Sequence, residues 1–292
     1  MIKGLAITPP VVGRISIGQM VESNGKRLPQ KDDQFTLTSQ IQNREGWILH
    51  PLDEQLRQQS GTTKLRCIPV RLLFNEPELN LRAEYSMFDR QTGRPLCAGN
   101  GVQCRRSTRE GMQQLDCPSP GLCEFGKGGL CKAYGRLNVA INTEEDLSSF
   151  IFRTTGFNSI RTLMARMMYY HAVSGGLLSC LPLQLKLRGK STTQSHRTPI
   201  FYVDLVTPDG MTLEAALQCA QEKKQQRDAA GFDQRALDDA ARIGFANGFF
   251  EYTEDEIPEI LEEFYPAQEA DQPDPPMHQS NQGLRQKLAK AS

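Results

Sequence analysis

The chain has 292 residues, of which 38% are apolar, and its 34 basic side chains balance 34 acidic ones. This length allows one large domain or two modest ones. Zero formal charge excludes a global attraction to nucleic acid or to an acidic membrane, so such a partner would have to meet a local patch. No segment has the roughly 18 consecutive apolar residues of a transmembrane helix, and the start of the chain lacks the apolar region of a signal peptide. We therefore predict a cytoplasmic protein.

Alternating apolar and polar residues predict β-strands through much of the chain. Two strands are expected in residues 64–74 and 79–87, and the sequence between them is typical of a hairpin turn. Residues 183–187 and 201–205 alternate in the same way on either side of a polar loop, which predicts a second hairpin. Shorter strands are predicted at residues 15–20, 35–38, 136–141 and 150–153.

Helical patterns begin in the second half of the chain. A helix is predicted to start with Asn158 as its N-cap and to end at Gly175 and Gly176. Two more are expected over residues 212–229 and 234–249, joined at Gly231. A short helix is predicted from Ile257 within the acidic stretch 251–265, where we favour a solvated helix face over a surface that docks a basic partner.

These patterns predict an α+β protein with a mostly antiparallel sheet, an inserted cysteine-rich metal module, one packed helix and a helical C-terminal extension. The core domain is assigned to residues 1–207, with the cysteine-rich module at about 92–132. A helical extension with the acidic segment covers 208–265. Residues 266–292 are rich in Pro, Gln, Ala and Ser and are predicted to be disordered.

Five of the eight cysteines fall within 35 residues, separated by glycine, proline and arginine: Cys97, Cys104, Cys117, Cys123 and Cys131. Disulfides are rare in the cytosol, so clustered cysteines there more often bind a metal. Thiolates favour Zn²⁺ or an iron–sulfur cluster, and we favour structural zinc. No C-x2-C pair is present, and a glycine-rich loop with free thiols is the alternative.

A tetrahedral zinc site needs four of these five thiolates. Cys117, Cys123 and Cys131 are the strongest candidates, and either Cys97 or Cys104 is the fourth. A closed four-thiolate site has no open position for water and is structural. The remaining cysteines lie in strand or helix patterns and are predicted to be small buried apolar residues: Cys67, Cys180 and Cys219.

Basic residues flank the cysteines and fill the second hairpin. They either offset the negative charge of a thiolate–zinc centre and solvate a loop, or they contact nucleic acid or a protein partner. The candidate contacts are Arg105, Arg106, Arg109, Lys132, Arg136, Lys186, Arg188, Lys190 and Arg197.

Motifs of an enzyme are absent from the sequence. The four histidines are scattered, and neither a phosphate-binding loop nor a nucleophile elbow occurs. A metal-dependent hydrolase or nuclease would require Asp89, Asp116 or Asp204 to converge with a histidine beside an open metal. A plain DNA-binding module is the third alternative.

A series of short motifs, in order along residues 1–207, resembles the recombination directionality factor-like proteins of phages and other mobile elements. The motifs are Gly13–Gly18, Gly25–Pro29 before Phe35–Thr38, Leu96–Gly101, Cys117 and Cys123 before Cys131, Thr155–Asn158 and Phe201–Val203. The resemblance implies a metal-stabilised, DNA-associated, non-enzymatic accessory protein that binds a recombinase or integrase, or its DNA complex. It also implies that Cys97 joins Cys117, Cys123 and Cys131 as a metal ligand, with Cys104 as an extra thiol.

Overall fold

The computed structural model describes residues 10–23, 26–43, 46–141, 148–191, 199–247 and 257–265. The predicted disordered tail at 266–292 and the candidate contact Arg197 lie outside these ranges. None of the helices in the described ranges combines the length and the apolar content that crossing a lipid bilayer requires.

Twelve strands of the described residues form one sheet. They are β1 (Val11–Ser23), β2 (Lys26–Asn43), β3 (Gly46–Leu49), β4 (Cys67–Leu72), β5 (Leu81–Phe88), β6 (Pro95–Gly99), β7 (Gln103–Thr108), β8 (Gly111–Asp116), β9 (Lys132–Ile141), β10 (Ser149–Thr154), β11 (Leu183–Lys190) and β12 (Ile200–Val206). The order along the main path is β3-β2-β1-β10-β9-β5-β6-β7-β8. Of the described pairings, β1 with β10 and β2 with β3 are parallel and the others are antiparallel, which confirms the predicted mixed fold and mostly antiparallel sheet.

The sheet branches at β9. Residues 132–137 of β9 pair with β5, and residues 139–141 pair with β4, which continues to β11 and β12. The prediction of a hairpin between residues 64–74 and 79–87 is therefore wrong, because β4 and β5 lie end to end along one edge of β9. The buried Asn80 side chain accepts from the backbone N–H groups of Leu73 and Phe74 and donates to the carbonyls of Phe74 and Glu76. These bonds hold the chain in a compact turn.

Six α-helices accompany the sheet in the described ranges: α1 (Pro51–Ser60), α2 (Pro77–Asn80), α3 (Phe157–Val173), α4 (Leu213–Ala229), α5 (Gln234–Asn247) and α6 (Ile257–Phe264). The predicted helices are all found. The N-cap of α3 is Gly156, so the assignment of Asn158 to that position is wrong by two residues. The helix ends as predicted, because Gly175 and Gly176 adopt positive φ angles of 62° and 85°.

The main apolar core lies between the central strands and α3. Phe152 and Leu137 of the sheet and Leu163 and Met167 of α3 are at most 1% exposed. A Cβ atom on Gly135 of β9 would lie 2.8 Å from a side-chain carbon of Ile160, so the absence of a side chain lets α3 approach the sheet closely. Close packing of this kind makes the centre of the sheet a rigid framework.

The cysteine-rich segment is more regular than its sequence suggests. Residues 95–116 form β6, β7 and β8, which extend the sheet beyond β5. Gly101 and Gly111, at the two tight turns, adopt φ angles of 93° and 105°, which favour glycine. The segment is therefore an extension of the sheet followed by a loop from Cys117 to Cys131, and we call residues 95–131 the arm.

Candidate metal centre

Strand register places the first two clustered cysteines on one face of the arm. Cys97 of β6 lies opposite Met87 of β5 and Arg106 of β7, and Gly99 lies opposite Cys104. Residues directly opposite one another share a face, and residues two apart in a strand do as well. Cys97, Cys104 and Arg106 therefore point to the same side of the arm.

The loop after β8 brings the other cysteines back to this side. The Cys117 backbone N–H donates to the Val102 carbonyl at 2.8 Å. A Cβ atom on Gly99 would lie 2.6 Å from the Cys104 Cβ and 3.0 Å from the Cys117 sulfur. A Cβ on Gly126 would lie 2.6 Å from the Cys131 Cβ. The sulfur-bearing side chains occupy the space that these two glycines leave open.

Together these contacts gather all five predicted cysteines into one group, which we call the thiol cluster: Cys97, Cys104, Cys117, Cys123 and Cys131. Cys97, Cys104 and Cys117 are buried with Met87, and Cys131 packs against them. Cys123 joins through Arg106, whose Nη2 lies 3.9 Å from its sulfur. Metal binding itself stays a prediction.

The other three cysteines lie apart from the cluster. Cys180 is buried in the main core, as predicted. Cys67 and Cys219 are only half-buried, so the prediction of full burial is wrong for them. Cys67 lies on β4 and Cys219 lies on α4. Neither belongs to the buried group that Cys97, Cys104 and Cys117 form.

The electrostatics of the thiol cluster follow from the burial of its sulfurs and from their closeness to one another. Burial, together with the adjacent Cys97 and Cys117, raises the pKa of Cys104 to about 11, while Arg106 acts in the opposite direction. Burial raises the pKa of Cys131 to about 12, with contributions from the other four thiols of the cluster. Each thiolate therefore opposes the formation of the next.

Arg106 is the basic side chain that lies directly over the thiol cluster. Its guanidinium carbon is 4.3 Å from the centre of the Phe125 ring, and its Nη2 points to Cys123. Its Nε is buried and has no hydrogen-bond partner among the described residues. This half-buried cation favours negative charge on the adjacent sulfurs.

As the side chains stand, no three His, Cys, Asp or Glu residues in the described ranges are arranged to hold a metal ion. The thiols are neighbours without forming a common coordination sphere. Rotation of a cysteine about χ1 moves its sulfur between staggered positions without moving the backbone. Coordination would therefore require changes in side-chain rotamers, and the fold of the arm would be kept.

The predicted contact residues near the thiol cluster occupy different environments. Arg105 and Arg109 are exposed on the arm. Lys132 donates from Nζ to the Phe264 carbonyl at 2.9 Å. Arg136 is only 6% exposed and lies 3.5 Å from Glu84, so it belongs to the interior and does not present a surface to DNA.

The second hairpin is less basic than its local sequence indicates. Lys186 lies 2.7 Å from Asp209, and Arg188 lies 3.3 Å from the buried Asp204. Asp204 also accepts from Arg166 at 3.1 Å. Lys190 is exposed at the end of β11. Acids from the following strand and turn therefore offset part of the positive charge.

The carboxylates considered for a hydrolase lie in separate places. Asp89 accepts hydrogen bonds from Gln91 and Thr92 and so closes its own turn. Asp204 is bonded to two arginines, and Asp116 is exposed on β8. Within the described ranges, these residues do not form a group with a histidine that could hold a metal.

One contact site was missed by the sequence reasoning. The acidic helix α6 packs on the sheet, with Ile260 and Phe264 at most 1% exposed. The preference for a solvated face over 251–265 is therefore wrong for α6. Ile257, Ile260 and Phe264 recur at helical spacing, and this apolar stripe is the signal that could have indicated docking.

Comparison with known proteins gives one match. The model of a family described as recombination directionality factor-like matches residues 12–208, which is more than half of the chain. The matched range contains all strands of the sheet except the first residue of β1, Val11, and every member of the thiol cluster. No curated protein and no solved structure matches the chain. The chain therefore belongs to the recombination directionality factor-like family.

Proposed function

We propose that this protein is a metal-binding, non-enzymatic accessory factor in the DNA recombination of a phage or mobile element. It acts by binding a recombinase or integrase, or the complex of that enzyme with DNA. Family membership supports the role in recombination. The proposal of metal binding rests on one observation: five thiols from a 35-residue segment lie near one another on one face of the arm.

The residues of the thiol cluster fit a soft divalent metal. Thiolate sulfurs are ligands that Zn²⁺ prefers, and a zinc ion would offset the mutual repulsion of several thiolates. The half-buried Arg106 would compensate part of the net negative charge of a four-thiolate centre. Cys97, Cys117, Cys123 and Cys131 are the proposed ligands, and Cys104 is the candidate for exchange with Cys97.

The metal would have a structural role in the arm. The loop from Cys117 to Cys131 contains few large buried apolar residues, and Leu122 is 79% exposed. Such a loop gains little from apolar burial, so metal coordination would supply most of its order. An ordered arm presents Arg105 and Arg109 in fixed positions, where they would contact the recombinase or the phosphates of its DNA complex. Lys190 on the second hairpin would contribute a separate contact.

The metal-binding half is tested by elemental analysis of protein purified without chelator. We expect about one zinc ion per chain. Serine substitution of each clustered cysteine in turn should abolish metal retention at four positions, and the position that retains metal identifies the extra thiol. Cys219→Ser is the matched control, because Cys219 lies on α4 outside the thiol cluster. Metal-free wild-type protein, or retention in all five variants, would contradict zinc binding.

The partner-binding half is tested with the recombinase encoded by the same mobile element. We expect the immobilised recombinase to retain the wild-type protein, with an affinity that changes little between 50 and 200 mM salt. Binding that requires DNA and falls by orders of magnitude over this range would instead indicate phosphate contacts alone. The metal assay and the binding assay have separate outcomes, so one half can fail while the other holds.

A further inference from the structure

The sheet face opposite α3 carries a row of arginines on four neighbouring strands. Arg153 of β10 lies opposite Arg136 of β9, which lies opposite Arg82 of β5. Arg14 of β1 continues the row beyond β10. Neighbouring strands are about 4.8 Å apart, so the backbone positions that carry these arginines are close together. The row is stable only if acids or solvent compensate it.

Most of this row is withdrawn from solvent. Arg14, Arg136 and Arg153 are 6–7% exposed. Glu84 compensates Arg136 within the sheet, at 3.5 Å. Glu262 of α6 lies 3.7 Å from Arg14. Burial lowers the pKa of Arg14 to about 10, while Glu262 and Glu263 act in the opposite direction. The C-terminal helix thus places acids beside Arg14 on this face.

The apolar side of α6 is anchored beside the arginines. The ring centre of Phe264 lies 4.7 Å from that of Phe88 and 5.3 Å from that of Tyr134. Ile260 is fully buried in the same group. A Cβ atom on Gly93 would lie 2.5 Å from Ile257, so the start of α6 also fits closely against the chain. The face combines an aromatic pocket with a charged strip.

Polar contacts fix the direction of α6. Lys132 donates to the Phe264 carbonyl at the C-terminal end, where a cation is favourable. Tyr265 donates from its hydroxyl to the Phe88 carbonyl at 2.7 Å. Trp47 donates from Nε1 to Glu262 at 3.1 Å and lies 3.8 Å from the Arg14 guanidinium. These contacts select an acidic helix in one orientation.

The docked helix has the properties of a helical peptide ligand. Its eight residues are too few for a stable isolated helix in water, so its helical form depends on docking. It lies outside the family-matched range 12–208, whereas the residues that hold it lie inside that range. Those residues are Arg14, Trp47, Phe88, Gly93, Lys132 and Tyr134.

We propose that this face is a docking site for an acidic amphipathic helix, that α6 occupies it in cis, and that an acidic amphipathic helix of the recombinase competes with α6 for it. The identity of the partner rests on the proposed function. The existence of the docking site and its occupation by α6 are independent of the proposed function. Release of α6 exposes the aromatic pocket and the arginine row together, so one helix can replace the other with the same contacts.

Trp47 allows a direct test because it is the only tryptophan in the chain and touches α6. In the full-length Phe264→Ala variant we expect a red-shifted Trp47 emission and stronger quenching by acrylamide. A labelled synthetic peptide of residues 254–266 should bind this variant at least about tenfold more tightly than wild type, because tethered α6 competes at a high effective concentration. The peptide should also restore the emission of Trp47.

Two further variants of the protein and one variant peptide serve as controls for this test. Ile243→Ala, at a site 67% exposed on α5, should behave as wild type. Glu262→Arg in the chain should also release α6 and so provides a second variant if Phe264→Ala fails to fold. A peptide that itself carries Glu262→Arg should not bind. Unchanged Trp47 emission in both folded variants, or no peptide binding to them, would overturn the docking site.

The recombinase of the same element tests the competition. We expect it to bind Phe264→Ala at least about tenfold more tightly than wild type, and excess α6 peptide should displace it. Equal binding to the two proteins would overturn the competition. If the recombinase binds neither protein while the peptide binds as expected, the competition and the proposed function both fail and the cis docking site stands. If the recombinase binds but the peptide does not, only this inference fails.

Discussion

The centre of the sheet and the arm belong to the same sheet but differ in what holds them together. In the centre, Phe152 and Leu137 pack against α3 and are at most 1% exposed. In the arm, the buried side chains are Ala98 and three cysteines, the cysteines pack with Met87 of β5, and β8 is exposed along almost its whole length. The centre draws its stability from apolar burial. The arm relies on strand pairing and on the contacts of its thiols, so the two regions should respond differently to the same kind of change.

The largest effect is expected from a cavity in the centre. Phe152→Ala should lower the free energy of unfolding by about 3–5 kcal/mol, because the packed core cannot collapse around the lost ring. Leu122→Ala removes an exposed apolar side chain from the arm and should change it by less than about 0.5 kcal/mol. Urea denaturation curves measure both values. Similar losses for the two variants would contradict the proposed difference between centre and arm.

A smaller effect is expected where the chain turns between β4 and β5. Asn80→Ala leaves the backbone N–H groups of Leu73 and Phe74 without their buried acceptor, so we expect a loss of about 1–3 kcal/mol. The same denaturation measurement applies. Asn80→Asp keeps the acceptor and loses the donor to Phe74 and Glu76, so it should fall between wild type and alanine if both sets of bonds contribute.

A destabilising substitution in the arm should open the arm locally, while the centre of the sheet stays folded. Gly99→Ala places a Cβ atom against Cys104 and Cys117 and should remove hydrogen-exchange protection from β6 and β7. We expect global unfolding to change by less than about 1 kcal/mol, because local opening limits the cost of the clash. Gly121→Ala is the matched control, since a Cβ atom there meets open space. Equal protection in the two variants would show that the thiols do not need the space at Gly99.

The smallest effect concerns pH and the N-cap of α1. His50 accepts from the Leu52 N–H through Nδ1, and burial lowers its pKa below the ordinary 6.5. The native state therefore binds a proton less readily than the unfolded state, so this contribution is present above pH 6.5 and is lost as pH falls below it. We expect a loss of under about 1 kcal/mol between pH 7 and pH 5.

His50→Asn provides the comparison for this prediction. Asparagine keeps a side-chain acceptor at the cap and does not titrate. Denaturation midpoints of the variant should therefore depend less on pH over this interval than those of wild type. Parallel pH profiles for the two proteins would assign the loss to other groups.

The sequence predicted local elements better than their partners. Alternation identified β11 and β12 and their pairing, because a short polar loop joins them. It also identified the strands β4 and β5 but paired them wrongly, since their common neighbour β9 is about 50 residues further along the chain. Pairing between distant strands depends on how the whole sheet assembles, which a local period does not contain.

In the candidate site too, the sequence predicted local features but not the contacts between distant segments. The number and spacing of the cysteines predicted a metal site made of four of five candidate thiols; the structure brings the five cysteines near one another, and metal binding stays a prediction. Arg136 was named as a candidate contact because it is one of the basic residues that flank the cysteines in the sequence. In the folded chain it is buried beside Glu84 of β5, which lies 52 positions away along the chain.

By itself, the sequence determined the periods of the strands and helices, the content of thiols and the apolar stripe of α6, because these properties depend on neighbouring residues alone. The tertiary structure decided on which face of the sheet each helix and each side chain lies. Successive side chains of a strand point to opposite faces, so Tyr134 packs under α6 while Gly135 accommodates α3. The helices that pack on the two faces, α3 and α6, are distant from these strand residues in the sequence, and only folding brings them together.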